Sequence, residues 1–288
     1  MTVNIVVVGS IALDTVSTPK GKRDRVLGGS AVYFSTVVSY FTRVGLVGVC
    51  GRDFGNENIQ FLKDHSVDLE GFEQVDGLTF NWNGSYSDDF GDATTHSTCL
   101  NVFQSFDPKL PASYASTPYL FLANIHPALQ LKVIERVKAP KLVALDTMNF
   151  WIEGALPDLK KALPRVDVLF LNRQEAYMLS GTKKLVSAYK KLLEMGPKRV
   201  VIKLGELGAM TATQSETFFV PAFPCPNLSD PTGAGDSFAG GFMGYLAQTG
   251  ETSEIGFRRA MLYGTVMGSF TVEQFGLDSY NTLVNKSI

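Results

Sequence analysis

The sequence is poor in cysteine and carries almost no net charge. Its three cysteines, Cys50, Cys99 and Cys225, are too few and too far apart for a disulfide framework or a C-x-x-C metal site. The formal net charge of −2 at pH 7 indicates no general attraction to nucleic acid or to an anionic membrane. We therefore expect a cytoplasmic protein with small-molecule partners.

Long apolar runs are also missing. No stretch approaches the roughly 20 residues that a membrane-spanning helix needs. The apolar residues 3–9 are too short for a signal peptide and lack its basic n-region, so we interpret them as a buried first strand. The 288 residues, 45% of them apolar, fit one large globular domain over 1–288.

Two common nucleotide-binding signatures are absent. A dinucleotide fold needs G-x-G-x-x-G after its first strand, but residues 9–14 read Gly-Ser-Ile-Ala-Leu-Asp. The P-loop pattern G-x-x-x-x-G-K-[ST] is not found either. Both absences argue against the corresponding enzyme classes.

Strand-like and helix-like segments alternate along the chain. Apolar, β-branched or aromatic runs predict buried strands at 5–8, 44–49, 119–123, 142–145, 168–171 and 200–204. Helical patterns lie at 29–40, 56–64, 129–137, 174–179, 185–194, 235–247 and 253–270. The alternation predicts an α/β fold with a mainly parallel sheet between helices, and a ligand at the carboxyl ends of its strands.

Two segments interrupt this alternation, at about 15–26 and 79–104. Both are polar or mix aromatic, small and acidic residues, which indicates antiparallel strands or loops. They form either a small sheet over the ligand edge or a pair of surface hairpins with no role in ligand closure.

Residues 230–241 carry the strongest chemical signal. Gly233 and Gly235 form a turn that leads into a helix, whose first N–H groups and dipole suit an anion such as phosphate. Asp236 lies in the same turn, where a carboxylate needs a chemical task to offset its repulsion from phosphate. That task is to take a proton from a hydroxyl group that attacks phosphorus.

Other candidates have ordinary structural interpretations. Asp14 either accepts hydrogen bonds from sugar hydroxyls or belongs to a turn. Gly28 and Gly29 either support a ring-shaped ligand or form a tight turn.

Two further candidates follow strands in the second half of the chain. Asn172 and Glu175 form either a helix capping box or a site near Mg²⁺ and its waters. Lys203 either neutralises phosphate or is simply solvated.

In this order the elements resemble the ribokinase, or PfkB, family of carbohydrate and nucleoside kinases over nearly the whole chain. Residues 230–241 match its signature D-T-x-G-A-G-D apart from Pro231, which stands between Asp230 and Thr232. The glycine pair 28–29, the N-x-x-E element at 172–175 and the turn 204–208 match further family elements.

The resemblance implies a ribokinase-like α/β fold with a small β-sheet lid, to which the segments 15–26 and 79–104 correspond. It also implies ATP and Mg²⁺ as cofactors and a role for each candidate residue. By this resemblance the general base is Asp236, and the anion hole is formed by Gly233, Ala234, Gly235 and Asp236. The acceptor is bound by Asp14, Gly28 and Gly29, and the nucleotide side includes Lys203, Gly205 and Gly208. Mg²⁺ water is ordered by Asn172 and Glu175, and a monovalent-cation (K⁺) site is marked by Asp230 and Thr232.

The chain departs from the family at two places. The asparagine that many members have after the glycine pair is missing, and Tyr33 and Phe34 nearby are either an apolar wall of the pocket or core. The D-P-N-x-R element appears only loosely at 146–151, and its arginine is absent, which disfavours acceptors with a carboxylate or phosphate.

We therefore expect an ATP-dependent kinase that phosphorylates the primary hydroxyl of a neutral sugar. A nucleoside is the alternative acceptor, since Trp82, Trp151 and Tyr86 can stack on a base or serve as packing. A non-catalytic sugar-binding regulator on the same scaffold is a third hypothesis. A homodimer formed through the lid is also implied by the resemblance.

Overall fold

The computed structural model describes residues 2–281, so the two ends of the predicted domain 1–288 lie outside the described residues. Strands and helices alternate along most of this part of the chain. The strands are β1 (Ile5–Val8), β2 (Ala12–Thr18), β3 (Gly21–Gly28), β4 (Val44–Gly51), β5 (Asp68–Val75), β6 (Asn81–Ser85), β7 (Thr94–Cys99), β8 (Tyr119–Leu122), β9 (Leu142–Asp146), β10 (Val168–Asn172), β11 (Arg199–Lys203), β12 (Ala209–Ala212) and β13 (Thr217–Val220). The helices are α1 (Ser30–Val38), α2 (Asn56–Asp64), α3 (Pro127–Arg136), α4 (Asn149–Gly154), α5 (Leu156–Ala162), α6 (Arg173–Ser180), α7 (Leu185–Glu194), α8 (Ala234–Thr249), α9 (Glu254–Thr271) and α10 (Asp278–Asn281).

The larger sheet has nine strands in the order β13-β12-β11-β10-β9-β8-β1-β4-β5. Neighbouring strands of this sheet pair in parallel from β5 at one edge as far as β11. Strand β12 then pairs antiparallel with β11, and β13 pairs antiparallel with β12. The predicted mainly parallel sheet is thus confirmed. Its parallel part brings the carboxyl ends of β1, β9, β10 and β11 to one edge.

Helices cover both faces of this sheet. In β1, Ile5 and Val7 pack into one core with residues of α1, α8 and α9, while Val6 and Val8 pack into a second core with residues of α3, α6 and α7. Side chains of a strand alternate between its faces, so a strand buried on both sides must be apolar throughout. This is why the short apolar runs predicted strands correctly.

A smaller sheet of four strands has the order β3-β2-β6-β7. The predicted segments 15–26 and 79–104 supply it, so the small-sheet interpretation is confirmed. The hairpins β2–β3 and β6–β7 are antiparallel as expected, but β2 and β6 pair in parallel. We call these four strands the lid. Its edge strand β7 is exposed at every residue.

No helix among residues 2–281 has the length and hydrophobicity to span a membrane.

Candidate active site

The glycine turn before α8 is held in a conformation that other residues rarely adopt. Gly233 has a φ of 76°, and a Cβ atom there would overlap the ring of Tyr33. The Ala234 N–H donates to the Pro231 carbonyl at 3.1 Å. Within the described chain the N–H groups of Gly235 and Asp236 have no protein acceptor, so they remain available to an anion at the helix N-terminus.

Asp236 stands in the first turn of α8 and is partly exposed. The surrounding protein removes water from its carboxyl group, and the nearby Asp146 repels its charge. Together they raise its pKa to about 7, against the opposing attraction of Lys203. A carboxyl group with this pKa can accept a proton near neutral pH.

Lys203 lies beneath the same turn. Its Nζ is 2.8 Å from Oδ2 of Asp146, which ends β9, and 2.9 Å from where a Cβ on Gly235 would lie. Burial works against the charged amine, but the carboxylates of Asp146 and Glu175 hold the pKa of Lys203 above its usual value. The solvated interpretation of Lys203 is therefore wrong: this side chain is a mostly buried cation, paired with Asp146, next to the predicted anion hole.

Asn172 and Glu175 form the capping box of α6. Oδ1 of Asn172 accepts the Glu175 N–H at 2.9 Å, and Oε2 of Glu175 accepts the Asn172 N–H at 2.7 Å. Burial raises the pKa of Glu175 to about 7, with Lys203 opposing and Asp146 and Asp236 adding to the rise. The capping interpretation is confirmed, and the same carboxyl group interacts electrostatically with Asp236.

Asp14 and the glycine pair lie on the lid side of the site. Asp14 is buried in β2, accepts the Trp82 N–H at 3.4 Å, and lies so close to Gly28 that a Cβ there would overlap its carboxylate. Burial raises the pKa of Asp14 to about 7, and Asp230 and Asp236 repel its charge. Gly29, at φ 98°, caps α1. Asp14 is thus a buried strand residue whose carboxylate accepts backbone N–H groups, and it is not part of a turn.

Asp230 and Thr232 lie between the anion hole and the lid. Oδ1 of Asp230 accepts the Thr232 N–H at 2.9 Å, and Oδ2 accepts the Gly276 N–H at 3.0 Å. The Thr232 hydroxyl contacts the Tyr86 hydroxyl of the lid at 3.3 Å. The pKa of Asp230 is raised by burial. Their role as cation ligands stays a prediction.

Gly205 and Gly208 bound a short turn after β11 and have φ values of 61° and 97°. A Cβ on Gly208 would overlap the Val220 carbonyl, whereas nothing lies within 4 Å of one on Gly205. The turn therefore presents an open backbone surface at Gly205.

The structure brings the predicted residues to one edge in two groups. Asp14 and Gly28 belong to the lid strands, while Lys203 and Glu175 belong to β11 and α6 of the main domain, and Asp236 interacts electrostatically with Asp14, Glu175 and Lys203. Two contributors were missed or undervalued. Asp146 begins the loosely matched element at 146–151, which gave it no role of its own. Its position at the end of predicted strand β9 was the sequence signal that it could lie at the site.

Tyr33 is the second residue whose position at the site was not predicted from the sequence. Both Tyr33 and Phe34 are buried, which confirms the core interpretation for Phe34. The Tyr33 hydroxyl, however, has no hydrogen-bond partner within residues 2–281. Burial raises its pKa well above the usual value, and Asp230, Asp14 and Asp236 act in the same direction. A neutral phenol is therefore buried near these carboxylates with no hydrogen-bond partner among the described residues.

Comparison with known proteins agrees with this geometry. The model of the pfkB family carbohydrate kinases matches residues 3–282. A cytidine kinase from Thermococcus kodakarensis is 32% identical over 248 residues, which cover 83% of this chain and 87% of the relative.

Two solved structures share the fold at low sequence identity. An adenosine kinase from Sinorhizobium meliloti has a TM-score of 0.82 at 18% identity and covers 100% of both chains. A fructokinase from Vibrio cholerae O395, solved with fructose, ADP and potassium ion, has a TM-score of 0.79 at 19% identity and covers 97% of this chain and 96% of its own. The fold is thus ribokinase-like, and with a family match over nearly all of its length this chain belongs to the pfkB family of carbohydrate kinases, phosphotransferases that act on a sugar or nucleoside hydroxyl.

Proposed function

We propose that this kinase transfers the γ-phosphoryl group of ATP to a primary hydroxyl, with Asp236 as the general base. The observation that carries the proposal is the position of Asp236. Its carboxyl group, with a pKa of about 7, lies in the helix turn that also offers the unpartnered N–H groups of Gly235 and Asp236 itself. Asp14, on the lid side, orients the acceptor by accepting hydrogen bonds from its hydroxyl groups.

Each residue has a separate task in this mechanism. Asp236 takes the proton of the attacking hydroxyl, which makes the oxygen a better nucleophile. The N–H groups of the turn and the Lys203 ammonium balance negative charge on the migrating phosphoryl group. Because these groups are fixed before the reaction, little reorganisation is needed when the charge develops.

Mg²⁺ fits the residues near Glu175. Carboxylate oxygens suit this ion, which usually keeps several waters and binds substrate phosphates. Among residues 2–281 no cluster of three or more His, Cys, Asp or Glu side chains is arranged to hold a metal. We therefore assign Glu175 to the waters of an Mg²⁺ ion bound by ATP, which would draw charge from the phosphates.

The base of ATP has an apolar surface beside the turn 205–208. Leu207, Phe223 and Val266 are exposed apolar side chains. The Phe223 carbonyl accepts the Ser269 hydroxyl of α9 at 2.8 Å, which holds residue 223 against that helix. The same helix approaches the anion hole, since a Cβ on Gly268 would lie 3.3 Å from the Ala234 carbonyl. This surface thus lies within reach of the phosphate site.

We infer that the acceptor is a nucleoside, with a free neutral sugar as the second candidate. The cytidine kinase relative, which spans most of both chains, supports the nucleoside. A free sugar suits the same hydroxyl-binding carboxylate at Asp14, which would accept its hydroxyl groups equally well.

Purified protein with Mg-ATP and matched panels of nucleosides and neutral sugars tests this proposal. Product from nucleosides alone supports it, and product from sugars alone selects the second candidate. If ATP binds and neither panel gives product, the protein is a non-catalytic binder.

The pH dependence should report the general base. A protonated Asp236 cannot accept the hydroxyl proton, so kcat/KM should rise with pH around a midpoint near 7. Asp14 and Glu175 titrate in the same range, with pKa values of about 7, so the acid limb can be steeper than one group gives. A flat profile across neutral pH would exclude Asp236 as a base with this pKa.

Removing the Tyr33 hydroxyl should weaken acceptor binding. None of the described residues supplies a partner for this buried hydroxyl, and an acceptor hydroxyl would supply one. Tyr33→Phe should raise the KM for the acceptor up to about tenfold, the worth of one neutral hydrogen bond, with the KM for ATP unchanged.

The free enzyme gives a further check on Tyr33. Its melting temperature should stay equal or increase, because the substitution removes an unpaired buried polar group. Tyr119→Phe is the matched control, since that hydroxyl is also buried without a partner in the described part of the chain but lies at the amino end of β8. Equal acceptor KM values in the two variants would remove Tyr33 from the acceptor site.

A further inference from the structure

The two halves of the lid reach the main sheet at different points of the chain. One half is β2–β3 and the other is β6–β7, and they meet where β2 pairs with β6. Asp14 and Gly28 belong to the first half. Their distance from Asp236 therefore depends on how both halves are fixed to the main domain.

Asp53 contacts both halves from the end of β4. Its Oδ1 accepts the N–H and the hydroxyl of Thr79, each at 2.7 Å, just before β6. Its Oδ2 accepts Nη2 of Arg25, in β3, at 2.6 Å. One carboxylate thus holds residues from two separate segments of the lid.

Thr79 is buried and fully hydrogen bonded. Besides its two bonds to Asp53, its hydroxyl accepts the Gly51 N–H at 3.0 Å and its carbonyl accepts Nδ2 of Asn101 at 2.9 Å. The partners lie at the end of β4 and just after β7. Loss of the Asp53 carboxylate would leave two buried donors of Thr79 unpaired, which is costly.

Arg25 reaches Asp53 through an unusual backbone. Arg25 has a φ of 55°, a left-handed conformation that is strained for a residue with a side chain. The register shows a bulge here, because Asp24 and Arg25 together stand opposite Thr15. Bulges redirect side chains, and this one aims the guanidinium at Asp53.

Short connections link these contacts to the acceptor side of the site. Next to Thr79, the Phe80 carbonyl accepts the Leu13 N–H at 2.9 Å. Two residues further on, the Trp82 N–H donates to Asp14 at 3.4 Å. A displacement of the backbone at residue 79 would therefore also displace the Asp14 carboxylate, which is proposed to bind the acceptor.

We propose that Asp53 is a positioning residue that sets the acceptor half of the active site by fixing both lid segments to the end of β4. The proposal rests on the proposed function for its kinetic test, but not for its structural one. Asp53 is not assigned a contact with substrate.

Four variants separate this role from general stabilisation. Asp53→Ala removes all three hydrogen bonds, and Asp53→Asn retains an oxygen for Thr79 but sets an amide against Arg25. Thr79→Ser keeps the hydroxyl and should behave as the wild type. Arg52→Ala is the matched control. Arg52 is the residue before Asp53, and its side chain forms an exposed ion pair with Asp76, which lies outside the lid strands.

The kinetic test compares the KM values of the acceptor and of ATP. Asp53→Ala should raise the KM for the acceptor about tenfold or more, as expected for losing several hydrogen bonds, while the KM for ATP changes less than about twofold. Asp53→Asn should show a smaller rise in the same direction, and Thr79→Ser and Arg52→Ala little change. Equal rises in both KM values, or no rise in either, would overturn the proposal.

Hydrogen–deuterium exchange provides the test that needs no activity. Amides of β6 should exchange faster in Asp53→Ala than in Arg52→Ala, with the central strands β1 and β8 unchanged. If the wild type phosphorylates nothing, the proposed function fails while this measurement still decides the role of Asp53. Equal exchange of β6 in the two variants would overturn it, and Asp53→Asn replaces Asp53→Ala if the latter does not fold.

Discussion

Asp236→Asn is expected to lower kcat by about 10²–10⁴-fold, the usual contribution of a general base. The amide keeps the shape of the side chain but cannot take the proton of the acceptor hydroxyl. ATP affinity should be retained, because the N–H groups of the turn and Lys203 are unaltered. Steady-state kinetics with the best acceptor, together with calorimetric titration of ATP, measure both quantities.

Misfolding would not account for such a loss. The pKa of Asp236 in the folded protein is about 7, above its value in an unfolded chain, so the fold loses stability as the pH rises from that unfolded value to about 7, and the loss is complete at alkaline pH. Asparagine lacks this cost, so the variant should be at least as stable as the wild type at alkaline pH. Asp107→Asn, which neutralises an exposed carboxylate, is the control. Undiminished turnover in Asp236→Asn would exclude this residue as the base.

Lys203→Met is expected to destabilise the protein by about 3–5 kcal/mol, the usual cost of breaking a buried ion pair from one side. The substitution leaves the carboxylate of Asp146 buried without its partner at 2.8 Å. It also removes the ammonium group whose attraction opposes the raised pKa values of Asp236 and Glu175. The pH midpoint of any remaining activity should therefore move upward.

Urea unfolding of the wild type, of Lys203→Met and of the double variant with Asp146→Leu distinguishes the loss of one charge from the loss of the whole ion pair. Lys203→Met should lose most stability, and the double variant with Asp146→Leu should recover part of it, because both charges are then gone. Activity should not recover with it, since the anion hole still lacks its ammonium group. If Lys203→Met unfolds at the same urea concentration as the wild type, the pair does not stabilise the fold.

The strands of the central sheet could be predicted because burial on both faces requires uninterrupted apolar runs. The runs at 5–8 and 168–171 are of this kind and fall within β1 and β10. Strand β5 was missed because its sequence, Asp-Leu-Glu-Gly-Phe-Glu-Gln-Val, mixes acidic and apolar residues at the edge of the sheet. Local pattern identifies central strands better than edge strands.

The site was predictable where a short motif holds its geometry. Gly233 and Gly235 belong to a turn whose conformation depends on glycine, so the turn at residues 230–236 could be predicted from the sequence. The pair of Asp146 with Lys203 was not, because it joins β9 to β11 across the intervening β10. The unpaired hydroxyl of Tyr33 was hidden as well, since an apolar helix pattern describes the ring and not the atom at its tip.

Exposure of strand β7 makes the lid accessible to selective chemical labelling. Cys99 ends this strand and is exposed, whereas burial raises the pKa of the Cys50 thiol to about 12 and that of Cys225 is also raised by burial. Thiolates are the reactive species, so maleimides should attack Cys99 first. With Cys225→Ser and with Trp82 of lid strand β6 replaced by Phe, a dye at Cys99 would mark the lid alone, and energy transfer from Trp151, which follows β9 on the main sheet, would report any movement of the lid relative to that sheet.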